Sequence, residues 1–166
     1  MTRLPHRQAA TLATLASVLP LATAFGFEWW GGLVPCALCL LERWPWRFAI
    51  AFGLFAILLP ARLGRVALVL MLLAGLGAVA TAGTHVGVEF GWWPSPLPEC
   101  AAPHFAQGSI AERLRSMPAK PSKSCEDPVY AFDWLPVSFA QLGLIYALAF
   151  SSGMVGLLTL HGANRR

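Results

Sequence analysis

Long uncharged runs, separated by short clusters of charge, constrain this chain more than any other feature of its sequence. The run 8–27 contains 20 residues without a charged side chain, the run 66–88 contains 23, and the run 134–164 contains 31. A helix of about 20 apolar residues crosses a hydrocarbon core of roughly 30 Å. We therefore predict membrane-spanning helices at 8–27, 66–88 and 137–160.

A fourth span is predicted at 45–61, where 17 residues contain one charge, Arg47. An arginine near a helix end can extend its head group to the membrane interface, so this charge is compatible with a span. Pro45 is expected to restart the chain as this helix. The four spans predict an all-α fold, an integral membrane four-helix bundle in which residues 1–166 form a single membrane domain.

Composition and charge support the membrane class and exclude others. Charged residues make up 12% of the chain, against roughly 25% in soluble domains, which argues against disorder and coiled coils. The net charge of +4 does not indicate nucleic-acid binding, because the basic residues lie beside the uncharged runs. Six of the twelve form three clusters: Arg3 and Arg7, Arg62 and Arg65, and Arg165 and Arg166.

These clusters also predict the orientation, because basic residues in short loops mark the cytoplasmic side. Both termini and the turn 61–65 are expected in the cytoplasm, and the segments 28–44 and 89–134 are expected to be two outward-facing loops. The alternative for the first run is a cleaved signal peptide, since Ala22-Thr23-Ala24 resembles a cleavage site. A run of 20 residues is longer than a signal core of roughly 7–15, which favours a span.

All four cysteines lie in the two predicted outward loops. Cys36 and Cys39 form a Cys-x-x-Cys pair, and Cys100 and Cys125 enclose 24 residues. Disulfides persist on the outward, oxidising side, so structural bridges are one interpretation, and closing a long loop suits the second pair. A zinc site is a second interpretation, but a zinc pattern would require another closely spaced pair of ligands, and Cys100 and Cys125 are far apart in the sequence. Cys-x-x-Cys spacing is typical of a redox-active pair, which we favour, and we predict no metal.

The residues around the first pair strengthen the redox interpretation. Pro35 predicts a helical turn that starts beside Cys36, whose positive end would favour thiolate. Arg43 is four residues after Cys39, so on a helix it would lie over the same face, where it could stabilise that thiolate and bind a carbonyl oxygen of an acceptor. The alternative for Arg43 is a charge at the membrane interface, which is our interpretation of Arg47.

The position of this pair at the mouth of a membrane bundle favours a lipid-soluble electron acceptor. His85 is the one histidine within a predicted span. A haem held by two histidines is therefore not favoured as the acceptor. No glycine pattern typical of nucleotide binding occurs in strand–helix context, so flavin and nicotinamide have no support.

The segment 35–43, which reads Pro-Cys-Ala-Leu-Cys-Leu-Leu-Glu-Arg, resembles the first outward loop of the DsbB family, the quinone-linked disulfide bond formation proteins of bacterial inner membranes. The resemblance continues at 94–100, which reads Pro-Ser-Pro-Leu-Pro-Glu-Cys, then at Cys125 and in the order of the spans. It implies a four-helix bundle in the inner membrane with periplasmic cysteine loops. It also implies bound ubiquinone (or menaquinone) and a soluble periplasmic thiol oxidase of the DsbA type as partner.

The resemblance also implies a role for each cysteine. Cys100 would be attacked by the reduced partner, and Cys125 would then leave as a thiolate and attack Cys36. Cys39, released as a thiolate beside Arg43, would pass electrons to the quinone. The connectivity at rest stays open, because it depends on the redox state.

Two further residues are placed near the quinone by the same resemblance. His85 lies where the family has a histidine close to the ring, although a histidine hydrogen-bonded for structural reasons is the alternative. Glu89, one turn later, would belong to the same rim.

The predicted function is that of an enzyme, a quinone-dependent protein-disulfide oxidoreductase. The first rival is a non-catalytic four-span membrane protein whose outward loops carry structural disulfides. The second is a carrier that moves reducing electrons outward across the bilayer. It would need cysteines within the spans, and this sequence has none there.

Overall fold

The computed structural model describes residues 6–100, 109–115, 123–130 and 134–163. Its helices are α1 (His6–Trp29), α2 (Ala37–Leu58), α3 (Ala61–Glu89), α4 (Ile110–Arg115) and α5 (Phe139–Ala163). A single 3-10 turn, Pro98–Cys100, precedes α4. Within these ranges no strand forms, and extended pairing is limited to one bridge between Tyr130 and Ser138. The prediction of an all-α chain is confirmed.

Three of the described helices are long and apolar enough to cross a membrane. They are α1, α3 and the segment Phe139–Leu160 of α5. Helix α2 carries three charged residues, Glu42, Arg43 and Arg47, and is not among them. Large apolar side chains cover the outside of the bundle, as lipid contact requires, with Leu15 of α1, Leu58 of α2 and Ile145 of α5 each more than half exposed.

Helix α2 is continuous through Pro45, so the predicted restart of the chain at this proline is wrong. A proline inside a helix removes one backbone hydrogen bond and costs about 3 kcal/mol. Packing offsets this cost, because the next residue, Trp46, is 6% exposed and its ring meets those of Tyr146 and Phe150 at 5.6 and 5.3 Å.

The expected turn at 61–65 is also wrong, because α3 begins at Ala61. The turn is formed by Leu59 and Pro60, and a proline suits the start of a helix because it lacks an N–H that would have no partner there. Arg62 and Arg65 therefore lie in the first turns of α3. The remaining basic residues of the terminal clusters, Arg3, Arg165 and Arg166, lie outside the described residues.

Small side chains let the long helices approach closely. Helix α2 packs against α1 and α3, and α3 packs against α5. The buried contact residues include Ala10, Ala13, Ala49, Ala56, Ala67, Ala78 and Ala147. Small residues at helix contacts are typical of membrane bundles, where close backbone packing replaces the hydrophobic effect. The Tyr146 hydroxyl adds a 2.7 Å hydrogen bond to the Ala16 carbonyl, which ties α5 to α1.

The end of α3 reverses the chain direction toward the second cysteine pair. The Gly91 N–H donates to the Val88 carbonyl and the Trp92 N–H donates to the Gly87 carbonyl, the two bonds of a Schellman motif. Gly91 has φ +68°, which a residue without Cβ adopts at little cost. Trp93 then folds back along α3, where its indole Nε1 donates to a backbone carbonyl one turn before the helix end.

Candidate functional site

The first cysteine pair begins helix α2. Cys36 is the N-cap residue, and its sulfur accepts a 3.1 Å hydrogen bond from the Cys39 N–H, which confirms the helical start predicted beside Pro35. The two side chains are free thiols whose sulfurs lie 2.7 Å apart. The hydrogen bond with the Cys39 side chain lowers the pKa of the Cys36 thiol. The helix N-terminus, with its positive dipole end, favours the thiolate as well.

These two sulfurs and His85 form a donor set that a soft metal ion could use. The donor atoms all lie within 4.8 Å of one another. In a tetrahedral zinc site with Zn–S bonds of about 2.3 Å, however, the two sulfurs would be roughly 3.8 Å apart. The observed 2.7 Å between the sulfurs of Cys36 and Cys39 is too short for that zinc geometry. It is nearer to the S–S bond length of a disulfide, about 2.05 Å.

The second pair, Cys100 and Cys125, forms a disulfide. Both residues are fully buried, and they pack with Cys36, Leu38 and Val88 in one group, which we call the cysteine cluster. Two pairs more than 60 residues apart in the sequence are thus brought side by side. Exchange between the pairs requires such contact, because one sulfur must attack the other along the S–S axis.

His85 connects the cysteine cluster to an acidic side chain. Its Nε2 lies 3.5 Å from the Cys36 sulfur, and its Nδ1 lies 2.6 Å from Oε1 of Glu42. An ionised carboxylate can only accept a hydrogen bond, so a Glu42 anion would call for a proton on Nδ1 and leave the lone pair of Nε2 toward the sulfur. Glu42 had no role assigned from the sequence. The signal that could have found it is an acidic residue on an apolar helix, one turn after Cys39.

Arg43 is buried, and its described contacts are with helix α1. Its Nη2 lies 2.8 Å from Oε2 of Glu28, and its guanidinium stacks 4.7 Å from the ring centre of Phe25. The side chain that the structure describes in contact with the cysteine pair is His85, and the expected role of Arg43 beside the Cys39 sulfur stays a prediction. The Arg43 Nε is buried and has no hydrogen-bond partner among the residues that the structure describes.

A cavity of about 460 Å³ brings these groups together. Apolar side chains of α1 and α5 form its walls, and Cys39, Glu42, Arg43 and His85 lie along its α2 and α3 side. The wall residue Ile145 is 60% exposed, so the cavity opens onto the apolar outer surface of the bundle. An apolar cavity with a few polar groups at one side is the usual form of a small-molecule site.

The two remaining candidates from the sequence, Glu89 and Arg47, are not among the residues that line this cavity. Glu89 accepts a 2.5 Å hydrogen bond from the Ser138 hydroxyl, which in turn accepts from the Gln141 N–H, so Glu89 ties the end of α3 to the start of α5. Arg47 is exposed and its guanidinium lies 5.1 Å from the ring centre of Trp44, and its role at the membrane interface stays a prediction.

A family model described as "Disulfide bond formation protein DsbB" matches residues 6–157. The chain belongs to the DsbB family. It is 30% identical to "Disulfide bond formation protein B" of Pasteurella multocida (strain Pm70), over 88% of this chain and 86% of that protein. It is also 28% identical to "Uncharacterized protein RP370" of Rickettsia prowazekii (strain Madrid E), over 78% and 74%.

No solved structure is significantly similar to the chain. Membership of the DsbB family makes this chain a membrane protein of disulfide bond formation, in agreement with its apolar helices. The family match covers both cysteine pairs, both cavity carboxylates and Arg43.

Proposed function

We propose that this chain is a thiol oxidase that reoxidises a soluble periplasmic dithiol oxidase of the DsbA type and passes the electrons through its two cysteine pairs to a membrane quinone. One observation carries the proposal: the cysteine cluster adjoins an apolar cavity along whose side lies a buried arginine with an unpaired nitrogen. Family membership supports the same activity.

The proposed topology has four spans in the bacterial inner membrane, with both termini in the cytoplasm and the cysteine loops in the periplasm. Helix α2 would be the fourth span. It has 22 residues and packs against α1 and α3, which are both candidate spans, and this packing supports α2 as a span beside them. Its buried charge Arg43 is paired with Glu28, which lowers the cost of placing it near the bilayer.

The proposed thiol route begins at the outer pair. The reduced partner attacks Cys100 and forms a mixed disulfide, and Cys125 leaves as a thiolate. With the first pair in its disulfide form, Cys125 then attacks Cys36, so that the Cys36–Cys39 bond breaks, a Cys36–Cys125 bond forms and Cys39 leaves as a thiolate. Cys100, freed when the partner leaves as its own disulfide, attacks Cys125, which restores the Cys100–Cys125 bond and releases Cys36 as a thiol. The contact of Cys36, Cys100 and Cys125 in one buried cluster supports the transfer between the pairs.

The residues present fit a quinone. The Arg43 Nε is a buried donor without a partner among the described residues, and a carbonyl oxygen would supply one. The walls of α1 and α5 would hold the ring and the isoprenoid tail by apolar contact, and Arg43 and His85 would orient the ring. A quinone, either ubiquinone or menaquinone, supplies a two-electron, two-proton acceptor. Cys39 lines the cavity, which supports it as the sulfur that would deliver the electrons.

The test is the absorbance of a short-chain ubiquinone mixed with the purified protein and a reduced DsbA-type partner. We expect quinone consumption that is lost in the Cys36→Ser/Cys39→Ser variant. Absence of consumption with ubiquinone and also with menaquinone would contradict the proposal and favour structural disulfides in a non-catalytic membrane protein.

A matched pair of arginine variants tests the cavity. Arg43→Met should raise the quinone concentration needed for half-maximal rate by about tenfold or more, because a buried charged hydrogen bond contributes about 1.5–3 kcal/mol. Arg47→Met, one turn later on the same helix, should leave that concentration unchanged, since Arg47 lies outside the cavity. Equal effects of the two changes would contradict the placement of the quinone beside Arg43.

A further inference from the structure

A buried line of three groups leads from the cavity side of α2 to the first cysteine pair. It runs from the Glu42 carboxylate to His85 Nδ1 at 2.6 Å, and from His85 Nε2 to the Cys36 sulfur at 3.5 Å. The side chain of His85 is 4% exposed and that of Glu42 18%, so bulk water has little access to either. A carboxylate, an imidazole and a sulfur in this order form the arrangement by which proteins activate a thiol.

We propose that Glu42 is a positioning residue, whose carboxylate holds His85 with Nε2 toward Cys36 so that His85 takes the proton of that thiol when the pair is reoxidised. The inference rests on the proposed function, which supplies the oxidant. It differs from a role of His85 toward the quinone alone, because the geometry directs Nε2 to the sulfur. It also assigns a function to Glu42, whose Oε1 lies within hydrogen-bond distance of the His85 ring.

The Cys36 proton moves to His85 Nε2, which leaves a thiolate beside an imidazolium, and the Glu42 carboxylate stabilises the imidazolium through Nδ1–H. The Cys36 thiolate keeps the Cys39 N–H as a donor. The S–S bond between Cys36 and Cys39 then forms as the second thiol loses its proton. Two electrons leave for the quinone, and both protons follow them, so that His85 returns to its neutral form.

His85 lies where it can act on both the Cys36 sulfur and a molecule bound in the cavity. The ring lines the cavity and touches the Cys36 sulfur at the same time. His85 would therefore carry a proton from the Cys36 sulfur to the cavity in which the quinone would be held. Without the carboxylate, the ring could turn over and present Nδ1–H or a protonated Nε2 to the sulfur, and the lone pair would be lost from that side.

Other ionisable groups near Glu42, His85 and Cys36 also influence the titration of the Cys36 thiol. Cys39 and Glu42 approach from α2, and Glu89 approaches from α3. Glu28 and Arg43 line the same cavity but are paired with each other. Glu28 is therefore the matched control, as a second carboxylate of the same cavity that bonds a different partner.

The test measures thiolate formation in protein that is reduced and free of quinone. Absorbance at 240 nm is followed against pH in a Cys100→Ser/Cys125→Ser background, where only the first pair titrates. Glu42→Gln keeps the shape of the side chain and removes its charge. The negative charge of Glu42 itself raises the pKa of the Cys36 thiol, so its removal alone would move the thiolate midpoint downward. We expect an upward shift of about one pH unit instead, which is about a tenfold loss of thiolate below the midpoint, because His85 is then no longer held to take the thiol proton. A downward shift would overturn the proposal. Glu28→Gln, which leaves the Arg43 charge unpaired in the same cavity, should not move the midpoint upward.

A second measurement needs no substitution at Glu42. The ¹⁵N chemical shifts of the histidine rings, with His85 assigned by its loss in His85→Gln, report which nitrogen carries the proton. We expect Nδ1–H in the unmodified protein at a pH where the ring is neutral. A ring that carries its proton on Nε2 would overturn the proposal, as would a Glu42→Gln midpoint equal to that of the parent or a Glu28→Gln shift of the same size.

Failure of this inference is distinguishable from failure of the proposed function. Quinone consumption by the parent protein, together with a thiol titration that ignores Glu42, would overturn the positioning role and leave the thiol oxidase standing. A titration that responds to Glu42 but not to Glu28, in a protein that consumes no quinone, would support the positioning role and contradict the quinone-linked function.

Discussion

The ion pair between Glu28 and Arg43 offers the sharpest test of how this site is held together. Arg43 is 8% exposed, its Nη2 lies 2.8 Å from Glu28 Oε2, and the two residues belong to different helices. Because each residue neutralises the charge of the other, the effects of Glu28→Gln and Arg43→Met on stability should not be independent. Each single change leaves one charge without its partner, whereas the double variant removes both charges.

The size of this coupling follows from the burial of the two groups. Unit charges about 4 Å apart attract by about 4 kcal/mol at an effective dielectric constant of about 20. Desolvation offsets part of this attraction for the buried Arg43, and solvent screens part of it because the Glu28 side chain keeps 31% of its exposure. We therefore expect a coupling free energy of about 1–3 kcal/mol, between the values typical of exposed and buried pairs.

The assay is reversible unfolding by SDS in mixed micelles, followed by far-UV circular dichroism, for the parent, the two single variants and the double variant. The control cycle combines Glu28→Gln with Arg47→Met, and these free energies of unfolding should add within about 0.5 kcal/mol. A coupling below about 0.5 kcal/mol in the Glu28–Arg43 cycle, equal to that of the control, would refute the ion pair and make Arg43 a charge at the membrane interface.

Three further perturbations test the cysteine route and the helix contacts. Cys125→Ser should trap a mixed disulfide between Cys100 and the soluble partner, and mass spectrometry that maps the adduct elsewhere would contradict Cys100 as the entry sulfur. Gly87→Val should destabilise the bundle by about 1–3 kcal/mol, because a Cβ at this position overlaps the Trp93 indole, and unchanged SDS unfolding would contradict that packing. Tyr146→Phe should cost about 1 kcal/mol in the same assay, since its hydroxyl bonds a backbone carbonyl of α1, and an unchanged value would argue against that bond.

Helix boundaries show where sequence reasoning succeeds and where it fails. The uncharged runs 8–27 and 66–88 lie within α1 and α3, because hydrophobic length alone decides whether a helix can cross a bilayer. The start of α2 beside Cys36 was also predictable from Pro35. The continuity of α2 through Pro45 was not, because it depends on the packing of Trp46 against α5, a contact between residues about 100 positions apart.

The candidate site divides in the same way. The sequence by itself determined the membrane class, the two cysteine pairs and the DsbB resemblance, because these depend on local composition and on spacing along one helix. Only the tertiary structure decided that the two pairs share one buried cluster, that Arg43 pairs with Glu28, and that Glu42 holds His85. These contacts join different helices, and their partners follow from how the helices pack and rotate against each other, which no periodicity within one segment specifies.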